Sequence, residues 1–267
     1  MNILEKKMCD LLKNAVDNYG VLGTKAEFEA EGTRTDELLR LLEISYKAGA
    51  KTGLKIGGCE AIKDLYKSKQ LGVNYIIAPM IETPYALKKF IKAKNHAYSK
   101  IEAEDTKFIV SCETITSLKN IDEIIKICKE SDRSIDGIVF GRVDFVGSLG
   151  LKRDSIESEY VTNSVLEVSQ KCKDINIEFY VGGAVSLDAR ENLRKFKSVH
   201  LSKFITRKII FDSGALDSKN LEQALKDSVH FELLWLFNKR EYYSNINKED
   251  DKRIEMLEKR WNILKNI

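Results

Sequence analysis

The feature that most constrains this chain is a regular beat. Short apolar runs, bounded by turn residues, alternate with longer stretches of helical periodicity. Apolar runs of four to eight residues read as buried strands, and strands that alternate with helices make parallel βαβ units. Lys25–Glu31 (KAEFEAE) alternates with period two and reads as a strand. Six further strands are expected at Gly53–Ile56, Tyr75–Ile81, Phe108–Cys112, Gly137–Phe140, Ile177–Val181 and Ser198–Ser202. Helices are expected between them, among them one capped near Thr35 and one opened by Pro84.

Seven clear strands fall one short of a closed (β/α)8 TIM barrel. The missing stave belongs before the first helix, Ile3–Asn18, where the chain has almost nothing. Either Ile205–Phe211 (ITRKIIF) supplies an irregular eighth strand, or the barrel is incomplete there. A doubly wound open sheet is the alternative, and it lacks the Gly-rich phosphate loop expected after its first strand. A length of 267 residues suits one barrel, and no Pro/Gly/Ser-rich linker divides the chain. The division expected is a barrel over residues 1–212 and a charged C-terminal helical extension over 213–267. Its apolar stretch Phe231–Phe237 is expected to contact a neighbouring subunit.

Charge excludes some partners. With 44 basic and 41 acidic residues spread along the chain, nothing points to nucleic acid or to a membrane surface. No window approaches the roughly 20 apolar residues of a membrane span, and the charged N-terminus does not resemble a signal peptide. Five cysteines without a CxxC pair argue against a disulfide framework or a zinc site and suit a reducing compartment, so the cytoplasm is expected.

Barrel chemistry sits at the C-terminal ends of the strands. Phe108–Cys112 runs into Glu113, and Gly137–Phe140 into Gly141-Arg142-Val143-Asp144. A carboxylate straight after a buried strand must be paired, solvated or bound to metal. Neighbouring strands lie roughly 4.8 Å apart, so two such carboxylates lie within reach of one ion. Hard oxygen donors suit Mg2+ or Mn2+. Both residues also suit helix N-caps, and spacing alone leaves the two readings open.

Two segments, IVSCETITSLKNIDEI (Ile109–Ile124) and IDGIVFGRVDFVGSLGL (Ile135–Leu151), resemble the signature segments of the HpcH/HpaI aldolase/citrate lyase family. YIIAPMIETPYAL (Tyr75–Leu87) is similar to that family's P-M-V/I-E strand. The resemblance runs from about Lys25 to Phe204. It implies a (β/α)8 barrel that uses Mg2+ or Mn2+ to cleave a carbon–carbon bond in a small 2-oxo acid through a metal-stabilised enolate. It places the metal on Glu113 and Asp144, and the substrate carboxylate on the backbone N–H groups of Val143 and Asp144. Barrels of the family commonly assemble as trimers or hexamers, so a homo-oligomer is expected.

The chain departs from the family pattern twice. Gly32 stands where the aldolases carry a His, and Lys55 where they carry an Arg. A lysine supplies charge but no bidentate fork. Candidates for the catalytic groups are therefore Lys55 itself, Glu31 as a base and Arg34 as a replacement cation. Glu27, Glu29 and Glu31 alternate along one strand face, and the alternative is an internal charge network with Lys55. Glu82 is a candidate for substrate contact or a cap of the Pro84 helix. Two other functions stay open: an acyl-CoA lyase on the same metal site and, favoured by the missing His and Arg, a barrel of this family that binds a ligand or partner without turnover.

Overall fold

The computed structural model describes residues 1–131 and 134–265. Its centre is a closed barrel of eight strands in sequence order. These are β1 (Val21–Glu27), β2 (Lys51–Lys55), β3 (Tyr75–Ala78), β4 (Lys107–Cys112), β5 (Gly137–Gly141), β6 (Glu178–Gly182), β7 (Lys203–Ile205) and β8 (Ile209–Asp212). The helices are α1 (Ile3–Tyr19), α2 (Thr35–Lys47), α3 (Ile62–Gln70), α4 (Pro84–Ala97), α5 (Ile115–Lys119), α6 (Ile121–Glu130), α7 (Arg142–Ser148), α8 (Glu159–Asp174), α9 (Arg190–His200) and α10 (Leu221–Leu264).

The eighth strand exists, and it differs from the other seven. β1 to β7 pair in parallel, whereas β8 is antiparallel to both β7 and β1. Chain length explains this. Only Thr206, Arg207 and Lys208 join β7 to β8, and a parallel neighbour needs a crossover of roughly a dozen residues or more. The short link makes a hairpin, and the hairpin closes the barrel against β1.

The largest departures from expectation are in β1 and β7, and β3 stops at Ala78 rather than Ile81. β1 lies four residues earlier than Lys25–Glu31, so of the three alternating glutamates only Glu27 is on the strand. Glu29 and Glu31 belong to the loop that follows. Residues 198–202 do not form a strand: His200 ends α9, its ring nitrogen bonded to Ile177 O, and β7 follows.

The main core lies between strands and helices, with Leu54, Ile76, Phe108, Phe140, Phe179 and Phe204 pointing outward from the barrel wall. A second cluster fills the lumen: Tyr75, Ile77, Ile109, Val139, Tyr180, Ile205 and Ile210. Towards the N-terminal end Lys203 Nζ lies over the rings of Tyr180 and Tyr75 and pairs with Glu178 at 2.9 Å. That end of the barrel is plugged. The C-terminal end is open.

The first half of α10 docks on α1, burying Leu221, Leu225, Phe231, Leu234 and Trp235. Phe231–Phe237 is therefore split between two faces, because Leu233, Leu236 and Phe237 stay exposed. Beyond Ser244 every residue to Lys265 is exposed. Among the described residues no helix is long and apolar enough to cross a membrane, and all five cysteines are free thiols.

Candidate active site

A cavity of about 840 Å³ opens at the C-terminal end of the barrel. Inward-facing positions alternate along each strand, and this alternation selects the lining. Lys25 and Glu27 come from β1, Lys55 from the end of β2, Ser111 from β4 and Gly182 from β6. Glu113 continues the inward face of Ile109 and Ser111 one residue beyond β4. Val143 and Asp144 follow β5 on the first turn of α7.

At the centre is a lysine between two carboxylates. Lys55 Nζ lies 2.8 Å from Glu29 Oε2 and 3.1 Å from Glu113 Oε2. Burial works against its charge, but Glu113 and Glu29 together raise its pKa, so the ammonium persists. Glu113 is 3% exposed, and its other oxygen accepts the Met80 N–H at 2.9 Å. Burial pushes its carboxyl up despite Lys55, and the negative charge of Asp144 adds to the rise. Gly141 is required beneath it: a Cβ there would lie 2.8 Å from Glu113 Cβ. Asp144 is exposed and has no hydrogen bond or ion pair among the described residues.

Two further features face the same space. Ser111 Oγ is buried and has no hydrogen-bond partner among the described residues. The first turn of α7 has no capping side chain, since its N-cap is Gly141. Gly183 passes close to that turn with φ +80°, where a Cβ would sit 2.7 Å from Val143 N. Arg142, fully buried, fixes this arrangement: its guanidinium donates to Gly183 O at 2.9 Å, to Ala184 O at 3.2 Å and to Glu157 at 2.8 Å.

Of the residues singled out from sequence, Lys55, Glu113, Val143 and Asp144 converge on the cavity. Glu31, Arg34 and Glu82 do not line it. Glu31 ion-pairs with the buried Lys208 and with Arg207 on the β7–β8 hairpin. Arg34 precedes α2 and stacks on the ring of Tyr243 at 4.6 Å. Glu82 accepts a 2.7 Å bond from Thr114 Oγ1, and Thr83, not Glu82, caps α4. Sequence reasoning missed Ser111 and Arg142. Ser111 carried a signal, because two residues before Glu113 on a strand is the same face. Arg142 carried none, since its partners come from loops distant in sequence.

Among the described residues no group of three or more His, Cys, Asp and Glu side chains forms a metal cage. The available donors are the two carboxylates of Glu113 and Asp144. Lys55 compensates this like-charged pair from one side only, and Asp144 has no cation of its own. Mg2+ is commonly held by one or two carboxylates, with water and substrate completing the shell. The donor set therefore fits a small hard cation.

Solved structures share this architecture. An HpcH/HpaI aldolase from Desulfitobacterium hafniense DCB-2 superposes with a TM-score of 0.59 at 12% identity, over 80% of this chain and 86% of that one. An HpcH/HpaI aldolase/citrate lyase family protein from Burkholderia cenocepacia J2315 gives 0.59 at 14%, over 84% and 90%. A citrate synthase variant, SbnG, gives 0.56 at 16%, over 84% and 89%. At such identities the likeness establishes the fold alone. In sequence, a cysteine–tRNA ligase of Malacoplasma penetrans (strain HF-2) is 35% identical over 105 residues, a stretch that spans 39% of this chain and 22% of that protein. The profile of the HpcH/HpaI aldolase/citrate lyase family matches residues 35–200, from the start of α2 to the end of α9. That stretch carries Lys55, Glu113 and Asp144 and is more than half of the chain, which thus belongs to the HpcH/HpaI aldolase/citrate lyase family.

Proposed function

We propose that this protein is a divalent-metal-dependent carbon–carbon lyase that acts on a small 2-oxo acid. The observation that carries the reading is the Lys55 ammonium, held between Glu29 and Glu113 in the cavity that the unpaired Asp144 also lines. Glu113 and Asp144 would hold Mg2+ or Mn2+, which when bound supplies a Lewis acid for the charge of an enolate oxygen. Lys55 keeps a fixed positive charge beside that position, where it stabilises the oxyanion without reorganisation. The uncapped N–H groups of Val143 and Asp144 receive the substrate carboxylate. Ser111 offers a hydroxyl to a substrate oxygen or a water below Glu113. Glu29, rather than Glu31, is the carboxylate on the cavity wall beside Lys55 and is placed to move a proton at C3.

A second reading, binding of a 2-oxo acid without turnover, is favoured by one observation: among the described residues no histidine lines the cavity. Pyruvate with Mg2+ in D2O separates the two. Exchange of the methyl protons, followed by NMR, reports enolate formation without an aldehyde partner. Metal-dependent exchange that is lost in Asp144→Asn supports the lyase. Saturable binding with no exchange establishes the second reading, and absence of both binding and exchange overturns the 2-oxo acid assignment.

A further inference from the structure

The exposed face of α10 carries a 4-3 repeat, apolar at both ends and polar at its middle; of its residues Tyr243 also meets the barrel, donating to Glu37 and stacked by Arg34. On the docked half it runs through Leu233, Leu236, Arg240 and Tyr243. It passes Asn247 and Asp250, and continues on the projecting arm through Ile254, Leu257, Trp261 and Leu264. The six residues Leu233, Leu236, Ile254, Leu257, Trp261 and Leu264 are 45–64% exposed. The buried stripe of the same helix ends at Asn238, and every residue from 245 to 265 is exposed. A helix of that length alone in water is marginal. Apolar residues at 3.5-residue spacing are the seam of a helix pair, and apolar residues left in water on such a seam call for a partner.

We propose that the partner is a second copy of this chain, its α10 antiparallel to the first. The pattern is its own complement about a centre between Asn247 and Asp250. Antiparallel pairing sets Trp261 of one copy against Leu236 of the other, Leu264 against Leu233, and Ile254 against Tyr243. Leu257 covers the aliphatic stem of Arg240. At the centre the Asn247 amide meets the Asp250 carboxylate, and the dyad makes this polar pair twice. Parallel pairing would place Asp250 against Asp250, two like charges at one level of the seam. Each arm, about 30 Å long at 1.5 Å per residue, thus lies along the docked half of its neighbour. That half contributes Val229 and Glu232 to the cavity lining, so the end of the neighbour's arm comes to rest at the rim of the site. This inference is independent of the reaction catalysed.

The test uses the full chain. Light scattering after gel filtration at micromolar concentration should give paired chains, a dimer or an even multiple of it where the barrels also associate. Leu257→Glu combined with Trp261→Glu changes only exposed arm residues; it should halve the mass and leave the melting temperature of the barrel in place. Orientation is read by disulfide trapping, with the unaltered chain as control for Cys9 and Cys59. Leu233→Cys mixed with Leu264→Cys should cross-link, whereas Leu264→Cys alone should not. A monomeric parent chain, a dimer indifferent to the double substitution, or efficient self-cross-linking of Leu264→Cys would each overturn the proposal.

Discussion

Lys55 donates a 3.1 Å hydrogen bond to Glu113, so the cation nearest the candidate metal position is a residue of the chain itself. The pair is buried, and the loss of one partner leaves a charge with little water to solvate it. Lys55→Met should therefore destabilise the fold by about 3–5 kcal/mol. Glu113→Gln added to it should recover part of that loss, because a buried pair lost whole is tolerated better than one lost by half. Denaturant titration of the four proteins in the cycle measures the coupling; additive losses would show that the two residues act separately.

Glu113 and Asp144 are expected to bind metal together. Either Asp144→Asn or Glu113→Gln should weaken Mn2+ binding by tenfold or more, which is about 1.4 kcal/mol or greater. Asp144→Asn should do so without a change in melting temperature, since Asp144 is exposed and unpaired. Electron paramagnetic resonance of free Mn2+ gives the affinity directly. Equal affinity in the parent chain and in both variants would remove the metal assignment.

Glu31 is expected to govern stability rather than turnover. Its carboxylate compensates Lys208, which is 3% exposed and whose pKa burial lowers. Glu31→Gln should lower the melting temperature, and Lys208→Met added to it should partly restore it. Pyruvate proton exchange, where present, should be unchanged in the double variant. A rate defect in a fully stable Glu31→Gln protein would instead return Glu31 to the chemistry.

Gly183 keeps the first turn of α7 open. Gly183→Ala places a methyl group 2.7 Å from Val143 N at a backbone angle that L residues rarely adopt. Pyruvate affinity should fall by about tenfold, or 1.4 kcal/mol, while Mn2+ affinity is retained. Calorimetric titration of both ligands separates these outcomes; an unaltered pyruvate affinity would move the substrate carboxylate elsewhere.

At the closed end of the barrel, burial alone would push the Glu178 carboxyl up. Hydrogen bonds from Tyr180 and Lys203 outweigh it and hold the pKa below its ordinary 4.5. A carboxyl held low in the folded state adds stability that is full above the unfolded value and is lost as pH falls through the folded one. The melting temperature of the parent chain should therefore exceed that of Glu178→Gln at neutral pH. The two curves should converge below pH 4.5, and a difference that persists in acid would mean that the pair does not titrate in this range.

How much of this was legible beforehand follows from what each signal reports. The alternation of apolar runs and helical stretches specified parallel βαβ units and favoured a barrel over an open sheet, and the signature segments pointed to the family. Glu113 and Asp144 were candidates because each comes soon after a buried strand, and the family resemblance, not spacing, favoured a metal role over an N-cap; Lys55 was singled out because it stands where the family pattern carries an Arg. Period-two alternation across Lys25–Glu31 suggested a longer strand than the one formed, because alternation shows which side a residue presents and not where the backbone stops pairing. The assignment of partners needed the closed barrel. Glu29 reaches Lys55 while Glu31 reaches Lys208, although both glutamates belong to one loop, because the β7–β8 hairpin brings Lys208 to one side of that loop and β2 brings Lys55 to the other. The antiparallel eighth strand, the clamp of Arg142 on Gly183 and the stacking of Arg34 on Tyr243 likewise join segments distant along the chain. Sequence periodicity determined which residues face inward; ring closure, which sets the distances between strands, decided which of them meet.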